Sequence, residues 1–337
     1  MALPFLNINY PHLLKHLLII RFSALGDTAA IVPVIYGLAN TYPFLKITLL
    51  SRQRFATLMS DMPSNVYFFG ADLTGVHKGL HGLNRLLRDL DYKQFDAVAD
   101  MHDVWRSKYL RLRMKMAGKP IAHINKGRHE KHQLTRFTHK CLKPLTPVTE
   151  RYLQVLHKLG LVCTPALPEH FEDCRSGIGI APFAAHKGKI YPLERMEQVV
   201  EILSKKGEKL YLFGAGIEET AILKRWADMY NNVEIVAGRN TLQEELQLMS
   251  HLKVMLTMDS ANMHLASLAG TRVVSIYGCT HPYSGFYGFG QDPADCIQTD
   301  LPCRPCSIYG NRRCRYNDYR CFDKITPEQI VEKLTTP

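Results

Sequence analysis

The stretch that decides the fold is LLIIRFSALGDT, at residues 17–28. It begins with an apolar run, 17–22, whose length and lack of alternation are typical of a strand buried on both faces. A short turn follows, in which Gly26 permits a tight bend, and a helical pattern then extends from Thr28 to about Tyr42. A buried strand that turns directly into a helix opens a βαβ unit, so the stretch predicts a parallel α/β sheet.

The same alternation continues along the chain, with one interruption. In the first half it predicts strands at 47–50, 66–69 and 95–99 and helices at 54–62 and 79–90. It is lost between about 103 and 151, and then predicts strands at 178–182, 209–213, 233–236, 254–257 and 273–277 and helices at 193–205, 218–229, 242–250 and 261–269. We therefore expect two Rossmann-like doubly wound domains, 1–170 and 171–337, facing each other across a cleft at the carboxyl ends of the strands, where such folds bind ligands.

Composition and charge narrow the class of protein. The chain has 337 residues, 46% of them hydrophobic and 22% charged, which excludes a disordered, collagenous or coiled-coil protein. Its net charge is +11, and the stretch 103–151 contains thirteen Lys or Arg residues against three Asp or Glu. A basic surface of this size favours an anionic partner: nucleic acid, an acidic membrane face or a phosphorylated substrate.

No export or membrane-spanning segment is apparent in the sequence. Residues 1–11 lack a charged leader region, and the apolar run 17–20 is too short to cross a bilayer. We therefore expect a soluble, cytoplasmic chain.

Four of the nine cysteines lie near the C-terminus, at Cys303, Cys306, Cys314 and Cys321. One close pair followed by two later thiols is compatible with a four-thiolate zinc site, although the second pair lacks the usual spacing. Two disulfides, or four reduced thiols that pack a C-terminal extension, are the alternatives.

Asp27 stands where the first strand passes into the first helix, and two interpretations are open. Asp is a common helix N-cap, and a carboxylate at the edge of a cleft can also serve as a general base. The turn is not a dinucleotide fingerprint, because it lacks the three spaced glycines.

Two further turns suit a phosphorylated ligand. Residues 259–264, DSANMH, follow a predicted strand and open a helix, where free N–H groups and the helix dipole favour a diphosphate, while Asp259 or Ser260 could equally cap the helix. His264 could contact a phosphate or only pack. The loop 181–192 carries Lys187 and Lys189, which could reach a phosphate, although a single surface lysine is more often only solvated.

Taken together, these motifs resemble the lipopolysaccharide core heptosyltransferases of glycosyltransferase family 9. The matching segments, from about residue 15 to 335, are 18–27 with Pro33, 95–102 with Arg106 and Ser107, 181–192, 259–264 and 303–328. The resemblance implies an α/β GT-B fold in which the first domain, 1–170, holds the acceptor and the second, 171–337, with its cysteine-rich tail, holds the nucleotide sugar. It also implies inverting, metal-independent transfer of a heptose from ADP-heptose to a lipid A–inner-core acceptor, in cell-envelope biosynthesis.

The resemblance also implies roles for individual residues. Asp27 would be the general base and Lys189 would meet the diphosphate or its developing charge. The nucleotide sugar would be held by Asp259, the backbone of Ser260, Ala261 and Asn262, and His264, with Glu219 at the ribose and Thr241 and Leu242 near the adenine. The basic charge of 103–151 suits such an acceptor, and we expect Arg106, together with His102, to contact it. The family commonly has glycine at the position of Ala261.

The partners expected are therefore ADP-heptose, an anionic lipid A–core acceptor and the cytoplasmic face of the inner membrane, with no cofactor and no nucleic acid. Three other functions remain open. The first is a GT-B transferase that uses a different sugar nucleotide, and the second is a nucleotide-sugar epimerase. The third is a basic RNA-binding protein, although its basic residues lack the interleaved aromatics of single-strand binders.

Overall fold

The computed structural model describes residues 14–168 and 175–336, which form two compact α/β units. The first unit contains 14–126 and 148–168, and the second contains 127–147 and 175–336. Residues 1–11, for which the sequence predicts no leader, and the predicted boundary at 170 lie outside the described residues.

The first unit is a parallel sheet flanked by helices. In chain order its elements are β1 (His16–Ile20), α1 (Leu25–Ala29), α2 (Val32–Thr41), β2 (Lys46–Arg52), β3 (Val66–Ala71), α3 (Gly79–Asp89), β4 (Ala97–Asp100), α4 (Trp105–Met116) and β5 (Ile121–His123). Residues 127–147, which include helix α5 (Arg128–Leu134), belong to the second unit, and the first unit ends with α6 (Val148–His157). The strand order is β3-β2-β1-β4-β5, and every neighbouring pair is parallel.

The prediction of one helix over 28–42 is wrong, because the structure divides this stretch into α1 and α2. Pro33, the second residue of α2, has no N–H, and its ring would clash with the carbonyl of Ala29 in a continuous helix. The helix predicted over 54–62 is instead a 3-10 turn, Gln53–Met59.

Helix α3 agrees with its prediction to within one residue. Leu83, Leu86 and Leu87 recur at helical spacing and are at most 3% exposed, so they pack one face of α3 into the core below the sheet. Burial of each leucine contributes about 1.5–3 kcal/mol relative to exposure.

The basic stretch 103–151 contains regular structure where the sequence pattern indicates none. It forms α4, β5, α5 (Arg128–Leu134) and the start of α6. The sequence-based division assigns all of it to the first domain, whereas the structure groups 127–147 with the second unit. This segment is held there by Lys140, which donates to the carbonyls of Pro302 and Pro305, and by the N–H of Leu145, which donates to the carbonyl of Tyr283.

The second unit repeats the architecture with six parallel strands. After α5 its elements are β6 (Ile178–Ala181), α7 (Leu193–Lys205), β7 (Leu210–Leu212), α8 (Gly216–Ala227), β8 (Val233–Ile235), α9 (Leu242–Ser250), β9 (Val254–Met258), α10 (Ala261–Leu268), β10 (Arg272–Tyr277), β11 (Cys296–Gln298) and α11 (Pro327–Thr335). The strand order is β11-β10-β9-β6-β7-β8. The sequence pattern predicts these strands and helices to within two residues, except β11 and α11, which it does not indicate.

Each sheet reverses its winding at one place. The reversal lies between β1 and β4 in the first unit and between β6 and β9 in the second. In doubly wound folds the carboxyl ends of the two strands beside this switch point hold the ligand. The helices within residues 14–168 and 175–336 all lack the combination of length and apolarity needed to cross a bilayer.

Candidate active site

The candidate residues of the first unit follow the two strands beside its switch point. Strands β1 and β4 pair in parallel, and their last residues, Ile20 and Asp100, lie side by side. Asp27 is in the turn after β1, and His102 is two residues beyond the end of β4. The topology therefore brings together two residues that are far apart in the sequence.

Asp27 is the third residue of α1 rather than its N-cap, which is Ala24. One carboxylate oxygen, Oδ2, accepts from the N–H of Ala24 at 3.3 Å and forms an ion pair with Arg21 Nη2 at 2.5 Å. Among the described residues, no group donates to Oδ1, and the side chain is 25% exposed. One oxygen is thus anchored while the other is available to accept a proton.

Arg21 fixes the position of the Asp27 carboxylate from a nearly buried site. Its side chain is 8% exposed, its Nη1 donates to the carbonyl of Met101 at 2.7 Å, and its guanidinium lies 5.8 Å from the ring centre of Tyr152. The hydroxyl of Tyr152 in turn donates to the carbonyl of Asp27. Strand β1, the β4 turn and α6 therefore all help to hold Asp27.

His102 is buried, and both ring nitrogens are engaged. Nδ1 accepts from the N–H of Phe22, and Nε2 lies 3.3 Å from the hydroxyl of Ser23. Burial, helped by the charge of Arg21, lowers the pKa of His102 to about 3, so the ring is neutral at pH 7. Because Nδ1 accepts, the proton is on Nε2 and points towards Ser23. His102 thus holds the backbone that leads to Asp27.

Arg106 lies in the first turn of α4, with its guanidinium 4.6 Å from the ring centre of Trp105. The turn before α4 is organised by Asp100, which is fully buried. Its Oδ1 accepts from the N–H groups of His102 and Asp103, and its Oδ2 pairs with Arg111 at 3.0 Å. Asp100 therefore connects the position of His102 to the start of α4.

The second unit has the corresponding arrangement at its own switch point. Lys189 follows β6 at the end of a 3-10 turn, Lys187–Lys189, and Asp259 follows β9 directly. Lys189 Nζ and Asp259 Oδ2 form an ion pair at 3.1 Å, without the alignment of a hydrogen bond, and the two side chains are 14% and 7% exposed. The structure thus joins two predicted residues that are 70 positions apart.

Helix α10 begins directly beside this ion pair. Ser260 is in the N-cap position, but its hydroxyl makes no capping hydrogen bond and is buried without a partner among the described residues. The amides of Ala261 and Asn262, in the first turn, cannot bond within the helix, which leaves them available to an anion. His264, one turn further on, is 7% exposed.

The residues predicted to meet the nucleoside lie at two helix starts. Glu219, in the first turn of α8, accepts from the N–H of Ala215 at 2.8 Å. Thr241 is the N-cap of α9, and its hydroxyl accepts from the N–H of Glu244 and donates to that side chain. Leu242, the first residue of α9, is half-buried. Glu219 and Thr241 therefore already stabilise their own helices.

The four C-terminal cysteines are free thiols and do not form the cluster that a zinc site requires. Within the described part of the chain, no group of three or more His, Cys, Asp or Glu side chains is arranged to hold a metal ion. Cys306 instead approaches Cys279, since its N–H and its thiol both point to the carbonyl of that residue. The neighbouring Cys279 thiol and the charge of Lys140 hold the pKa of Cys306 below its ordinary value.

Three residues that matter for this geometry are absent from the sequence-based site. Arg21, Asp100 and Tyr152 hold the site without belonging to a recognisable binding pattern. Arg21 and Asp100 do carry a signal, because each is a charged residue at the end of an otherwise apolar strand. Tyr152 carries none, since an aromatic residue on a helix predicts only core packing.

Comparison with known proteins identifies the family. The sequence model of glycosyltransferase family 9 (heptosyltransferase) matches residues 83–316, more than half of the chain. Lipopolysaccharide heptosyltransferase 3 of Escherichia coli K12 is 26% identical over 76% of this chain and 80% of its own length. The lipopolysaccharide core heptosyltransferase OpsX of Haemophilus influenzae is 22% identical over 80% of each chain.

A solved structure agrees on the fold. The E. coli heptosyltransferase WaaC, solved with ADP-2-deoxy-2-fluoro heptose, superposes with a TM-score of 0.68 at 16% identity and covers 94% of this chain and 98% of its own. Two parallel sheets flanked by helices are common to both, which confirms the predicted GT-B architecture. The chain belongs to glycosyltransferase family 9, the heptosyltransferase family, and is a glycosyltransferase with the GT-B fold.

Proposed function

We propose that this enzyme transfers a heptose, with inversion, from ADP-heptose to the lipid A–inner core of lipopolysaccharide. The observation that carries the proposal is the Lys189–Asp259 ion pair beside the uncapped start of α10, in a chain of this family. Two kinds of relative support the substrates: the relatives in E. coli and H. influenzae are named for heptose transfer to lipopolysaccharide, and WaaC was solved with an ADP-heptose analogue.

The second unit would bind the diphosphate of the donor. The free amides of α10 and its positive dipole end suit an anion, and the Lys189 ammonium supplies a full positive charge. As the bond from the anomeric carbon to the diphosphate breaks, negative charge develops on the departing ADP. Lys189 stabilises that charge, while Asp259 keeps the ammonium in place.

Asp27 would be the general base. Its Oδ1 takes the proton of the acceptor hydroxyl as the oxygen bonds to the anomeric carbon and ADP leaves with the electron pair of the broken bond. A single displacement of this kind inverts the configuration at that carbon. Arg21 keeps the carboxylate oriented, and neutral His102 holds the turn on which it stands.

The remaining predicted contacts are proposals of the same kind. We assign Glu219 to the ribose and His264 to the phosphate region. We assign Leu242 to the edge of the adenine, with Thr241 next to Leu242. Glu219 keeps one carboxylate oxygen for a ligand, since only Oε2 bonds to Ala215.

Contact with an anionic membrane surface is supported by helix α4. Trp105, Leu112 and Met116 are 50%, 54% and 76% exposed, and on a helix they fall within an arc of about 40°. The opposite face, with Leu110 and Met114, is buried.

Basic residues flank this apolar ridge on both sides, Lys108 and Lys115 on one and Arg106 and Arg113 on the other. The helix contains no acidic residue. An apolar ridge between two rows of cations is the pattern of helices that lie in the interface of acidic bilayers. We therefore place α4 at the cytoplasmic face of the inner membrane, where the acceptor is anchored.

Vesicle sedimentation tests this surface. Replacing Trp105, Leu112 and Met116 by serine removes about 3 kcal/mol of apolar burial, so affinity for equimolar phosphatidylglycerol and phosphatidylcholine vesicles should fall roughly a hundredfold. Ile217→Ser, at a 91% exposed position on α8, is the matched control and should bind as the wild type does. Equal binding by the triple variant would exclude α4 as the membrane contact.

The activity itself is tested by mass spectrometry of the purified protein with ADP- and UDP-sugars and truncated core acceptors. We expect a heptosylated acceptor and ADP only with ADP-heptose. Product from another sugar nucleotide would replace the donor assignment, and turnover of a UDP-sugar without an acceptor would indicate an epimerase. RNA affinity that falls steeply with salt and is insensitive to ADP would instead support the nucleic-acid alternative.

A further inference from the structure

A second candidate ligand site lies within the second unit, away from its ion pair. A cavity of about 400 Å³ opens between residues 132–138, at the end of α5, and the cysteine-containing loop 303–316. Neither segment is explained by the reaction proposed above. The volume lies in the range of small-molecule sites.

The charge of this cavity is strongly positive. Arg136, Arg312, Arg313 and Arg315 line it, and none of its lining residues is an Asp or Glu. The nearby carboxylate of Asp318 is bound to a different arginine, Arg320, at 2.7 Å. Four guanidinium groups thus share this lining with three cysteine thiols and no carboxylate.

Only neutral groups hold these arginines in place. Arg315 lies over the ring of Phe137 at 3.8 Å, Arg313 donates to the side-chain oxygen of Asn317, and Arg312 faces the carbonyl of Cys306 at 3.4 Å. Arg136 makes no hydrogen bond or ion pair with another described residue. Like charges brought together in this way repel, and an anion would relieve that repulsion.

We propose that this cavity binds a phosphate-bearing saccharide, as the anchor for the phosphorylated part of the acceptor. Guanidinium groups form paired hydrogen bonds with phosphate oxygens, which gives them geometric selectivity for phosphate esters. Arg315 lies over the ring of Phe137 and Arg320 over that of Tyr316, but these side chains are still 53% and 44% exposed, so part of each ring can contact a sugar. An unsubstituted phosphate would use the cations but not the rings, whereas a short RNA could use both and is therefore compared directly below.

The position of the cavity agrees with this assignment, which rests on the proposed function. The loop that carries Arg312, Arg313 and Arg315 also packs against Lys189, because a Cβ on Gly310 would come within 2.5 Å of the Lys189 Cδ. The same loop therefore borders both the arginine-lined cavity and the lysine assigned to the departing diphosphate. Neither Lys189 nor Asp259 lines the cavity, so a saccharide anchored here would leave both to the donor.

Calorimetry on the full chain, with saturating ADP, tests the proposal directly. The probe is the bisphosphorylated glucosamine disaccharide of deacylated lipid A, compared with the same disaccharide after phosphatase treatment. We expect the wild type to bind the phosphorylated probe at least tenfold more tightly. In Arg313→Gln/Arg315→Gln the preference should disappear, while Arg313→Lys/Arg315→Lys should retain part of it. Lys224→Gln/Arg225→Gln, on the exposed face of α8, removes two cations elsewhere in the unit and should bind as the wild type does.

Several results would overturn the site. Equal probe affinity in the glutamine variant and the wild type would show that the arginines do not hold it. Loss of ADP affinity in the glutamine variant, with an unchanged melting temperature, would assign the cavity to the donor instead. Inorganic phosphate or a short RNA binding as tightly as the probe would refute the saccharide. Because binding is measured without turnover, failure of heptose transfer in the wild type would be a separate result, against the proposed function only.

Discussion

Replacement of Asp27 by asparagine tests the proposed mechanism most directly. The amide preserves the size of the side chain and can still accept from the N–H of Ala24, but it cannot take a proton from a hydroxyl. General base catalysis contributes about 10²–10⁴ in rate, so we expect kcat to fall about a thousandfold, or roughly 4 kcal/mol of transition-state stabilisation. Asp27→Ala should lose at least as much.

The same substitution should also lower the free energy of unfolding, but only moderately, because Arg21 keeps other contacts. Arg21, which is 8% exposed, loses its carboxylate partner but still donates to the Met101 carbonyl and lies near the ring of Tyr152. We therefore expect the free energy of unfolding to fall by about 1–3 kcal/mol, which urea titration will measure. A loss of this size leaves the variant folded at the assay temperature if its wild-type stability is typical of such domains.

The assay follows ADP release at varied acceptor and ADP-heptose concentrations, with ADP affinity measured by calorimetry. ADP affinity should stay within about twofold, because the residues that we propose for the diphosphate belong to the other unit. Asp96→Asn is the matched control: that carboxylate also lies in the first unit, half-buried, and accepts from the N–H groups of Lys15 and His16. Turnover of the Asp27 variants within tenfold of the Asp96 control would refute the base and leave Asp27 as a support for α1 and Arg21.

Three further predictions concern the second unit. Lys189→Gln should lower kcat about a hundredfold, and it should also destabilise the fold because Asp259 stays buried without its partner. Lys187→Gln, in the same turn, should have neither effect. Equal kinetics in the two variants would contradict the role of Lys189. Thr241→Ala removes the N-cap of α9 and should cost about 1 kcal/mol of stability in urea. It should weaken ADP binding only slightly, because the Thr241 hydroxyl is already bonded to Glu244; a large loss of ADP affinity would mean that the hydroxyl contacts the nucleotide. Burial raises the pKa of Glu245 from 4.5 to about 7, so the wild type should lose stability as pH rises from 4.5 to 7. Glu245→Gln should be about 1–3 kcal/mol more stable than the wild type at pH 8 but equal to it at pH 4. A difference in stability that stays constant with pH would contradict this.

The sequence predicts the elements well because short apolar strands and amphipathic helices have distinct periods. It fails where one residue overrides the period, as Pro33 does between α1 and α2, and where a strand is short, as β5 is within the basic stretch. It also places Asp27 and Lys189 correctly just after strands, although Asp27 belongs to the short helix α1 and Lys189 to a 3-10 turn. It cannot show which strands are neighbours, because strand order is set by packing over long separations, and only that order brings His102 to the turn of Asp27.

The charge excess shows why counting basic residues alone cannot define a binding surface. Within 103–151, Arg111 forms ion pairs with Asp100 and Asp103. Lys140 donates to a backbone carbonyl of the C-terminal loop, and the buried Arg151 donates to the carbonyl of Asn125. These three cations therefore have structural partners.

Other basic residues of this stretch can still meet a ligand, and they lie in both units. The exposed cations of α4 surround an apolar ridge, which suits a lipid surface, whereas Arg136 joins three arginines from the distant C-terminal loop around a cavity, which suits a compact anion. These two surfaces should respond differently to salt, because screening weakens the diffuse attraction of α4 to a lipid surface more than it weakens short, paired guanidinium–phosphate hydrogen bonds. A rise in ionic strength that releases the enzyme from vesicles should therefore leave most of its affinity for a phosphorylated saccharide intact.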